Sequence, residues 1–389
     1  MTTGDGASRK KLPNNHIAEW YGHRLYPEVA QTPESLSTQK DERCPFLTQA
    51  TGTSYQCVKV KKNEGKSRGV CTISSTNQRT GERQDWLACP FRALDLAILR
   101  DAAHRLFDYD TADSFTLTPA PLLQMEDELQ KLRARVAAGE PAIVYFQNAL
   151  GGEIKLAATE RSPAFSFDST MVELLKGPSG ELAVGRYGIF EIQTADFHGT
   201  YEHAVRNITD NLRMYPDEFK QQIDTHQALL AQGVEGPNTA NIFKRTFYQM
   251  MFKFQVGAHD SSAGCIFATP RAVWDSWQKH LGAPELVEAS DGTWRLSRPG
   301  VDMEKSPRSW IYVFDIEESA TVTPNRLSLW RVIGTDAATL SHFALDVAPE
   351  AALDGGSVDR LRQQIAIRLA KYLPELRPPR PTGRKAAAT

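Results

Sequence analysis

RYGIFEIQ, residues 186–193, is the stretch of this 389-residue sequence that decides the fold. Its strict alternation is that of a β-strand, with apolar side chains on one face and Glu191 and Gln193 on the other. PAFSFD (163–168) alternates in the same way and ends on Asp168. If the two strands are neighbours, two carboxylates meet above a hydrophobic sheet. They then repel each other unless a divalent cation lies between them.

Other short apolar segments predict strands and helices in mixed order. A hairpin is predicted over 70–89, and further strands over 142–149, 153–158, 264–270, 309–317 and 326–334. The spacing of apolar residues predicts helices over 89–107, 122–136, 236–257, 271–281 and 357–373, and largely helical structure over 201–232. Short strands with helices before and after are typical of an α/β or α+β domain with a mixed central sheet.

Composition divides the chain into three parts. Residues 1–115 are irregular and hold four of the five cysteines. The Thr-, Ser- and Pro-rich stretch 110–121 marks a boundary, after which residues 116–375 are predicted to form the catalytic core. Residues 376–389 are predicted to be a disordered basic tail.

The bulk numbers describe an ordinary soluble chain. The net charge is −2 and the isoelectric point is near 6.5, so a nucleic-acid partner would require a local basic patch. The polar N-terminus lacks the apolar segment of a secretory signal, and no apolar run approaches the ~18–20 residues that span a bilayer. We therefore expect a cytoplasmic protein without membrane attachment, whose cysteines are not disulfide-bonded.

The cysteines of the N-terminal region suggest a metal site. Cys44, Cys57, Cys71 and Cys89 are separated by 12, 13 and 17 residues. Four thiolates suit tetrahedral zinc or iron, and such a closed site would be structural. Because no Cys-x-x-Cys pair is present, four buried core thiols remain the alternative. Cys265, in an apolar strand, is expected to be a small buried hydrophobe.

The acidic residues suggest phosphodiester chemistry. Asp168 and Glu191 are candidate Mg²⁺ ligands, and Glu153 is a plausible third carboxylate. Gln193, two residues after Glu191, would align the attacking water. The pattern alone is weak, because acids at strand ends are common. Lys155, on the face predicted for Glu153, is a less favoured contributor of charge.

Three groups of basic residues are available to a polyanion. They are a loop with Lys59, Lys61, Lys62, Lys66 and Arg68, the outer face of helix 236–257 with Lys244, Arg245 and Tyr248, and the C-terminal Arg377, Arg380, Arg384 and Lys385. Each can equally be ordinary solvated surface.

Longer stretches point to a family. The matching segments include HIAEWYGHRLYPEV (16–29), YFQNALGGE (145–153), SPAFSFD (162–168), RYGIFEIQTADFHGTYEHAV (186–205) and EGPNTANIFKRTFYQMMFKF (235–254). Through them the chain resembles the NotI-like type II restriction endonucleases of the PD-(D/E)xK nuclease superfamily. The likeness covers most of the chain and is less clear at the ends and over about 285–389.

The resemblance implies a homodimer that cuts both strands of a GC-rich palindromic double-stranded DNA site, with a cognate methyltransferase in the same host. It also implies the restriction endonuclease-like fold with a small N-terminal Cys₄ domain, which in this family holds iron. By position, Asp168 and Glu191 match the metal-binding acids and Glu153 a further acid of the site. Gln193 stands where most of the superfamily has lysine. An uncharged amide can orient water but cannot stabilise an anionic transition state as an ammonium does.

The sequence favours a Mg²⁺-dependent site-specific endonuclease that leaves 5′-phosphate ends. The alternative from another class is a non-catalytic DNA-binding protein that uses the cysteine module and the basic loops. An enzyme acting on a small phosphorylated ligand is less favoured, because the sequence shows no Gly-rich phosphate-binding motif.

Overall fold

The computed structural model describes residues 12–58, 68–77, 80–111, 114–195, 197, 201–301, 307–319 and 321–376. The strands in this part of the chain are Asn15–Trp20 (β1), His23–Arg24 (β2), Val70–Thr76 (β3), Arg83–Leu87 (β4), Thr116–Pro119 (β5), Ala142–Gln147 (β6), Ile154–Leu156 (β7), Phe165–Phe167 (β8), Ser169–Lys176 (β9), Leu182–Ile192 (β10), Ser262–Pro270 (β11), Val287–Glu288 (β12), Trp294–Arg295 (β13), Ser309–Ile316 (β14) and Leu327–Thr335 (β15). The α-helices are Pro33–Lys40 (α1), Pro45–Thr51 (α2), Leu96–Phe107 (α3), Glu126–Ala137 (α4), Glu202–Met214 (α5), Phe219–Thr225 (α6), Thr239–Gly257 (α7), Arg271–Gln278 (α8), Ala337–His342 (α9), Ala348–Asp354 (α10) and Ser357–Leu369 (α11).

A nine-stranded mixed sheet forms the centre of the molecule, in the order β12-β13-β15-β14-β11-β10-β9-β6-β5. Strands β10, β11 and β14 run parallel to one another, whereas β9 is antiparallel to both β10 and β6. Strands β7 and β8 pair separately as a short antiparallel hairpin. The predicted mixed α/β architecture with helices around a central sheet is therefore confirmed.

The two faces of the central sheet pack against different helices. Phe190 and Ile192 of β10 belong to a buried cluster with Leu99 and Leu106 of α3. Ile189, on the opposite face, belongs to a second cluster, whose helical members include Ile242, Phe243, Met250 and Phe254 of α7 together with residues of α8 and α9. The period-2 prediction for this strand thus holds, and the polar side chains of its C-terminal end face α7.

Strands β2, β1, β3 and β4 form a second, antiparallel sheet. Residues of β1 and β3 pack with α5 and α6 in a separate apolar cluster. This sheet lies within the predicted N-terminal region, and the central sheet lies within the predicted core. Helix α3 comes from the N-terminal region but packs on the central sheet. The exact domain division at residue 115 remains a prediction.

A buried polar network joins the second sheet to the core. Arg92 donates to Glu19 Oε2 at 3.2 Å and also to the main-chain oxygen of Asn325. Arg24 donates through Nε to Asn325 Oδ1 at 2.9 Å and forms an ion pair with Asp85. Glu19, Arg24, Arg92 and Asn325 are all at least 98% inaccessible to solvent. Hydrogen bonds from Arg24 and Arg92 to Asn325 therefore tie the N-terminal region to the segment just before β15.

The most important element that the sequence analysis missed is β9. The segment STMVELLK follows Asp168 directly, and its first two residues suggested no strand. In the structure β9 lies between β10 and β6, so Ser169 and Thr170 are buried inside the sheet. Asp168 consequently joins two strands, β8 and β9, and does not end the strand 163–168 as predicted.

Several predictions concern residues outside the described ranges or membrane attachment. The basic loop lies outside them except for Arg68, which forms an ion pair with Glu42. The basic residues of the C-terminal tail also lie outside them. Within the described ranges, no helix has the length and apolar character required to cross a bilayer.

Candidate active site

Strand register brings the two predicted acids together. Ser169 of β9 pairs with Phe190 of β10 in antiparallel register, so Asp168 comes to lie beside Glu191. Each carboxylate accepts one main-chain hydrogen bond: the Asp168 N–H donates to Glu191 Oε2 at 3.2 Å, and the Ile192 N–H donates to Asp168 Oδ2 at 3.0 Å. Both carboxylates are thus fixed by main-chain donors of adjacent strands.

Helix α7 adds a cation that the sequence analysis did not identify. The Lys253 ammonium donates a hydrogen bond to Glu191 Oε1 and lies 5.9 Å from the centre of the Phe167 ring. Lys253 is 3% exposed and Glu191 6% exposed. Lysine is rarely buried without a partner or a role, so its position within the apolar run QMMFKF was the signal available in the sequence.

The protonation of the acid pair reflects burial and mutual repulsion. Burial, followed by the neighbouring charge of Asp168, raises the pKa of Glu191 to about 8, although Lys253 opposes the shift. Burial also raises the pKa of Asp168, against the lowering effect of the Ile192 N–H and of Lys253. Two carboxylates and one ammonium leave the site with excess negative charge when both acids are ionised. Such a site is predisposed to accept a cation.

Gln193 lies on the same face, where α7 holds its amide. Its Oε1 accepts a hydrogen bond from Thr246 Oγ1 at 3.2 Å, and its Nε2 donates to the Thr194 carbonyl. Thr246 and Lys253 are seven residues apart, two helical turns, so one face of α7 contacts both Gln193 and Glu191. The structure therefore places Gln193 beside the acids, with its amide already hydrogen-bonded.

Glu153 is near the acid pair but not in contact with it. It precedes β7, is half-buried, and accepts a hydrogen bond from Asn148 Nδ2 at 3.1 Å. Its charge contributes to raising the pKa of Asp168, which places it within electrostatic range of that carboxylate. Lys155, by contrast, is exposed on the β7–β8 hairpin. Of the two, Glu153 is the residue that acts on the site.

The described residues contain no ready-made cage for a metal ion. No group of three or more His, Cys, Asp and Glu side chains within them is arranged to hold one. The acid pair offers two carboxylates, which is fewer than a structural site requires but typical of Mg²⁺. This ion keeps several water molecules and is often held by one or two carboxylates together with substrate phosphate. The donor set is therefore compatible with Mg²⁺ bound jointly by protein and phosphodiester.

The four N-terminal cysteines approach one another without closing such a cage. Cys44, Cys71 and Cys89 are buried, and Cys57 is half-buried. A hydrogen bond between the thiols of Cys71 and Cys89, together with burial, raises the pKa of Cys71 well above its usual value. Burial, followed by the charges of Cys89 and Cys57, raises the pKa of Cys44 to about 12. Cys44 is thus within electrostatic range of Cys57, Cys71 and Cys89, and the Cys₄ metal site remains a prediction.

One cleft among the described residues is lined by neither Asp168 nor Glu191. It has a volume of about 760 Å³ and lies between β4 and the C-terminal ends of β11 and β14. Its five acidic lining residues are Glu82, Asp85, Asp275, Asp315 and Glu318, and its two arginines, Arg83 and Arg271, are both paired with acids. A negatively charged lining of this kind repels a phosphate backbone.

Comparison of the sequence with protein-family models yields no match, and comparison with curated proteins yields none either. The activity must therefore be argued from the site itself.

Proposed function

We propose that this protein is a Mg²⁺-dependent, sequence-specific DNA endonuclease of the NotI-like type II class. The observation that carries the proposal is the buried cluster of Asp168, Glu191 and Lys253, held together by β9, β10 and α7. Two acids and a lysine around one point are the charges that phosphodiester hydrolysis requires. A buried lysine salt-bridged to one acid of a pair is also an uncommon arrangement for a purely structural site.

Asp168 and Glu191 would hold the metal ion. Bound there, Mg²⁺ would neutralise charge at the scissile phosphate and assist both the attacking water and the leaving 3′-oxygen. The hydrogen bonds from the Ile192 and Asp168 amides orient the two carboxylates before any ligand arrives. Glu153 adds negative charge beside Asp168 and would strengthen the attraction for the cation.

Lys253 would supply the positive charge that Gln193 lacks. The ammonium of Lys253 reaches the acid pair from α7, whereas the superfamily's usual lysine would occupy the strand position of Gln193. Preorganised cations in a buried site stabilise developing negative charge more strongly than they do in water. Gln193, fixed by Thr246, is then left to orient water through its amide.

A surface formed by the β7–β8 hairpin and the outer side of α7 would receive the DNA. We call it the hairpin–helix face and define it by the exposed residues Lys155, Arg161, Lys244, Arg245 and Tyr248. The hairpin is fixed to the helix by Phe165, whose ring lies 3.7 Å from that of Phe252 and 6.0 Å from that of Tyr248. Four cations on elements that flank the acids provide the phosphate contacts that the large acidic cleft cannot provide.

Plasmid digestion tests the activity. We expect cleavage that requires Mg²⁺, releases 5′-phosphate ends and recurs at one GC-rich sequence. Asp168→Ala and Glu191→Ala should each abolish cleavage while the proteins still bind DNA. Nicking by either variant at the wild-type rate would reject the assignment. Sequencing the fragment ends would identify the target and the cut position.

The structural metal is a separate part of the proposal. Cys44, Cys57, Cys71 and Cys89 would bind iron or zinc, for which four neighbouring thiols are suitable donors. Elemental analysis of folded protein purified without added metal should find about one equivalent of iron plus zinc. A metal-free, folded protein would show that the thiols are core residues.

A non-catalytic DNA-binding protein is the second candidate. Acids that only shape a surface would not require a buried lysine, which argues against this candidate. Binding without cleavage in Mg²⁺, on DNA of broad sequence content, would favour it. If the protein cleaves DNA, the host would have to protect its own DNA by modification. This requirement is the reason for proposing a cognate methyltransferase.

A further inference from the structure

The C-terminal end of the described chain exposes an unusual amount of apolar surface. On α11 and the turn that follows it, the large apolar residues Val358, Leu361, Ile365, Leu369 and Tyr372 are between 40% and 81% exposed. Val358, Leu361, Ile365 and Leu369 are spaced 3, 4 and 4 residues apart along one stripe of α11, and Tyr372 follows three residues later in the turn. We call these five residues the α11 stripe.

Helix α11 has little support from the rest of the described chain. Its main backbone contacts are with its sequence neighbours, α10 and the turn Pro374–Leu376. Ala366 is half-buried and Ala370 is buried, but the intervening side chains are exposed. An isolated helix of about 12–15 residues is only marginally stable in water, and most helices are stabilised by packing of an apolar face. We therefore expect the α11 stripe to pack against a partner.

The segments outside the described residues contain few large apolar side chains. Outside the described residues, the large apolar side chains in the sequence are only Met1, Val60 and Met303. The C-terminal residues 377–389 consist of Arg, Lys, Pro, Thr, Gly and Ala. None of these segments can bury five large apolar side chains, so the given sequence leaves the α11 stripe without an evident cover.

The order of residues in the stripe fits a second copy of the same chain. The five positions are symmetric about Ile365, at −7, −4, 0, +4 and +7. An antiparallel copy related by a two-fold axis near Ile365 therefore brings Val358 against Tyr372 and Leu361 against Leu369. This self-complementarity is the defining property of a two-fold interface.

The charges along the segment favour the same orientation. Asp359 lies six positions before Ile365 and Lys371 six positions after it, whereas Arg362 and Arg368, at −3 and +3, carry the same charge. In an antiparallel pair, Asp359 of each copy lies at the level of Lys371 of the other, and the two helix dipoles point in opposite directions. A parallel pair would place Asp359 against Asp359 and Lys371 against Lys371, whereas Arg362 and Arg368 place like charges at the same level in either orientation.

We propose that the α11 stripe is the surface through which two copies of this protein associate, antiparallel and centred on Ile365. The choice of a second copy rests on the proposed function, because cutting both strands of a palindrome requires two active sites related by a two-fold axis. The stripe alone covers less than the roughly 1,200–2,000 Å² of a stable complex, so association in the absence of DNA should depend on concentration.

Sedimentation velocity of the full chain tests the surface with a matched pair of variants. Ile365 lies on the stripe and is 48% exposed, whereas Ile367 lies on the opposite side of α11 and is 49% exposed. Ile365→Glu places two carboxylates against each other and should weaken the dimer by at least about a hundredfold. Ile367→Glu should leave it intact. Equal effects of the two variants, or a wild-type monomer at every concentration, would overturn the proposal.

Cysteine crosslinking tests the orientation. A mixture of Val358→Cys and Tyr372→Cys proteins should form disulfide heterodimers on oxidation, whereas Val358→Cys alone should not crosslink. Self-crosslinking of Val358→Cys would indicate parallel helices and reject the antiparallel arrangement. Neither experiment requires nuclease activity. A dimer through α11 without cleavage would therefore refute only the proposed function, and cleavage by a protein that dimerises elsewhere would refute only the proposed surface.

Discussion

Lys253 is the residue on which the proposed chemistry depends most. We expect Lys253→Met to lower the single-turnover rate of DNA cleavage about 10²- to 10³-fold, because one preorganised charge at the transition state is lost. Lys253→Arg keeps the charge and should retain part of the rate. Lys279→Met, at an exposed site on another element, is the control. Cleavage by Lys253→Met at the wild-type rate would show that this ion pair is structural.

The acids of the site could be predicted from the sequence, whereas Lys253 could not be assigned to it. Asp168 directly follows β8 and Glu191 lies in β10, and the period-2 pattern of these segments shows which side chains share a face. Lys253 lies on a helix 62 residues beyond Glu191, and only the packing of α7 on the sheet brings them together. The sequence could mark this lysine as unusual within an apolar run. Its contact with Glu191 depends on tertiary structure, which the sequence pattern does not show.

His16 should make the folded protein sensitive to acid. Burial lowers the pKa of His16 to about 4, and neither ring nitrogen has a hydrogen-bond partner among the described residues. Between the unfolded value near 6.5 and about 4, the unfolded chain binds the extra proton, so stability must fall as the pH falls through this range. The slope is at most about 1.4 kcal/mol per pH unit for this residue. His23, whose pKa burial also lowers to about 4, adds to it.

Replacing the ring isolates the contribution of His16. His16 stacks on Tyr26 with ring centres 4.1 Å apart. His16→Phe keeps this stacking and cannot titrate, so it should be more stable than the wild type at pH 5 and show a shallower pH slope. His226→Gln, at an exposed position, should leave the slope unchanged. Denaturant unfolding at several pH values measures both, and parallel wild-type and His16→Phe curves would contradict the prediction.

At the scale of elements, the position of α7 depends on a close approach to β11. A Cβ added to Gly257, the last residue of α7, would lie 2.6 Å from Cys265 Cβ and 2.9 Å from the Cys265 main-chain nitrogen. Gly257→Ala should therefore push the helix from the sheet and destabilise the protein by about 1–3 kcal/mol. Because Lys253 lies one turn earlier, cleavage should fall as well.

Gly236→Ala provides the comparison. A Cβ at Gly236 would lie no closer than 3.4 Å to the Asn15 side chain, which is an ordinary contact. When both variants are measured under the same conditions, the denaturant midpoint of Gly236→Ala should be higher than that of Gly257→Ala. Equal midpoints would show that α7 can shift without cost.

Regular elements with clear periodicity were predictable, and central strands with polar residues were not. Helix α7 and strands β6, β11, β14 and β15 lie where apolar spacing placed them. Strand β9 was not predicted because Ser169, Thr170 and Glu173 are polar yet buried. Glu173 is accommodated there by the Tyr109 hydroxyl, which donates to it at 2.7 Å. The contact between Tyr109 and Glu173 depends on the folded structure and cannot be predicted from the sequence pattern.

For the whole molecule, the Glu19–Arg92 pair should couple the second sheet to the core. Arg92→Met leaves the fully buried Glu19 carboxylate without its cation and should cost about 3–5 kcal/mol of unfolding free energy. Adding Glu19→Gln removes the uncompensated charge and should restore part of the loss. A double-mutant cycle from denaturant unfolding measures the coupling. Additive effects of the two substitutions would show that the pair contributes no interaction energy.

The network around Asn325 also constrains how the protein is made. Arg24 is hydrogen-bonded to Asn325, which lies 301 residues later in the chain. At the usual elongation rate of about 5–20 residues per second, the first sheet waits roughly 15–60 s on the ribosome before that partner is synthesised. During this interval its charged residues remain hydrated and its strands incompletely packed. We infer that the N-terminal sheet matures late in translation, although its sequence emerges first.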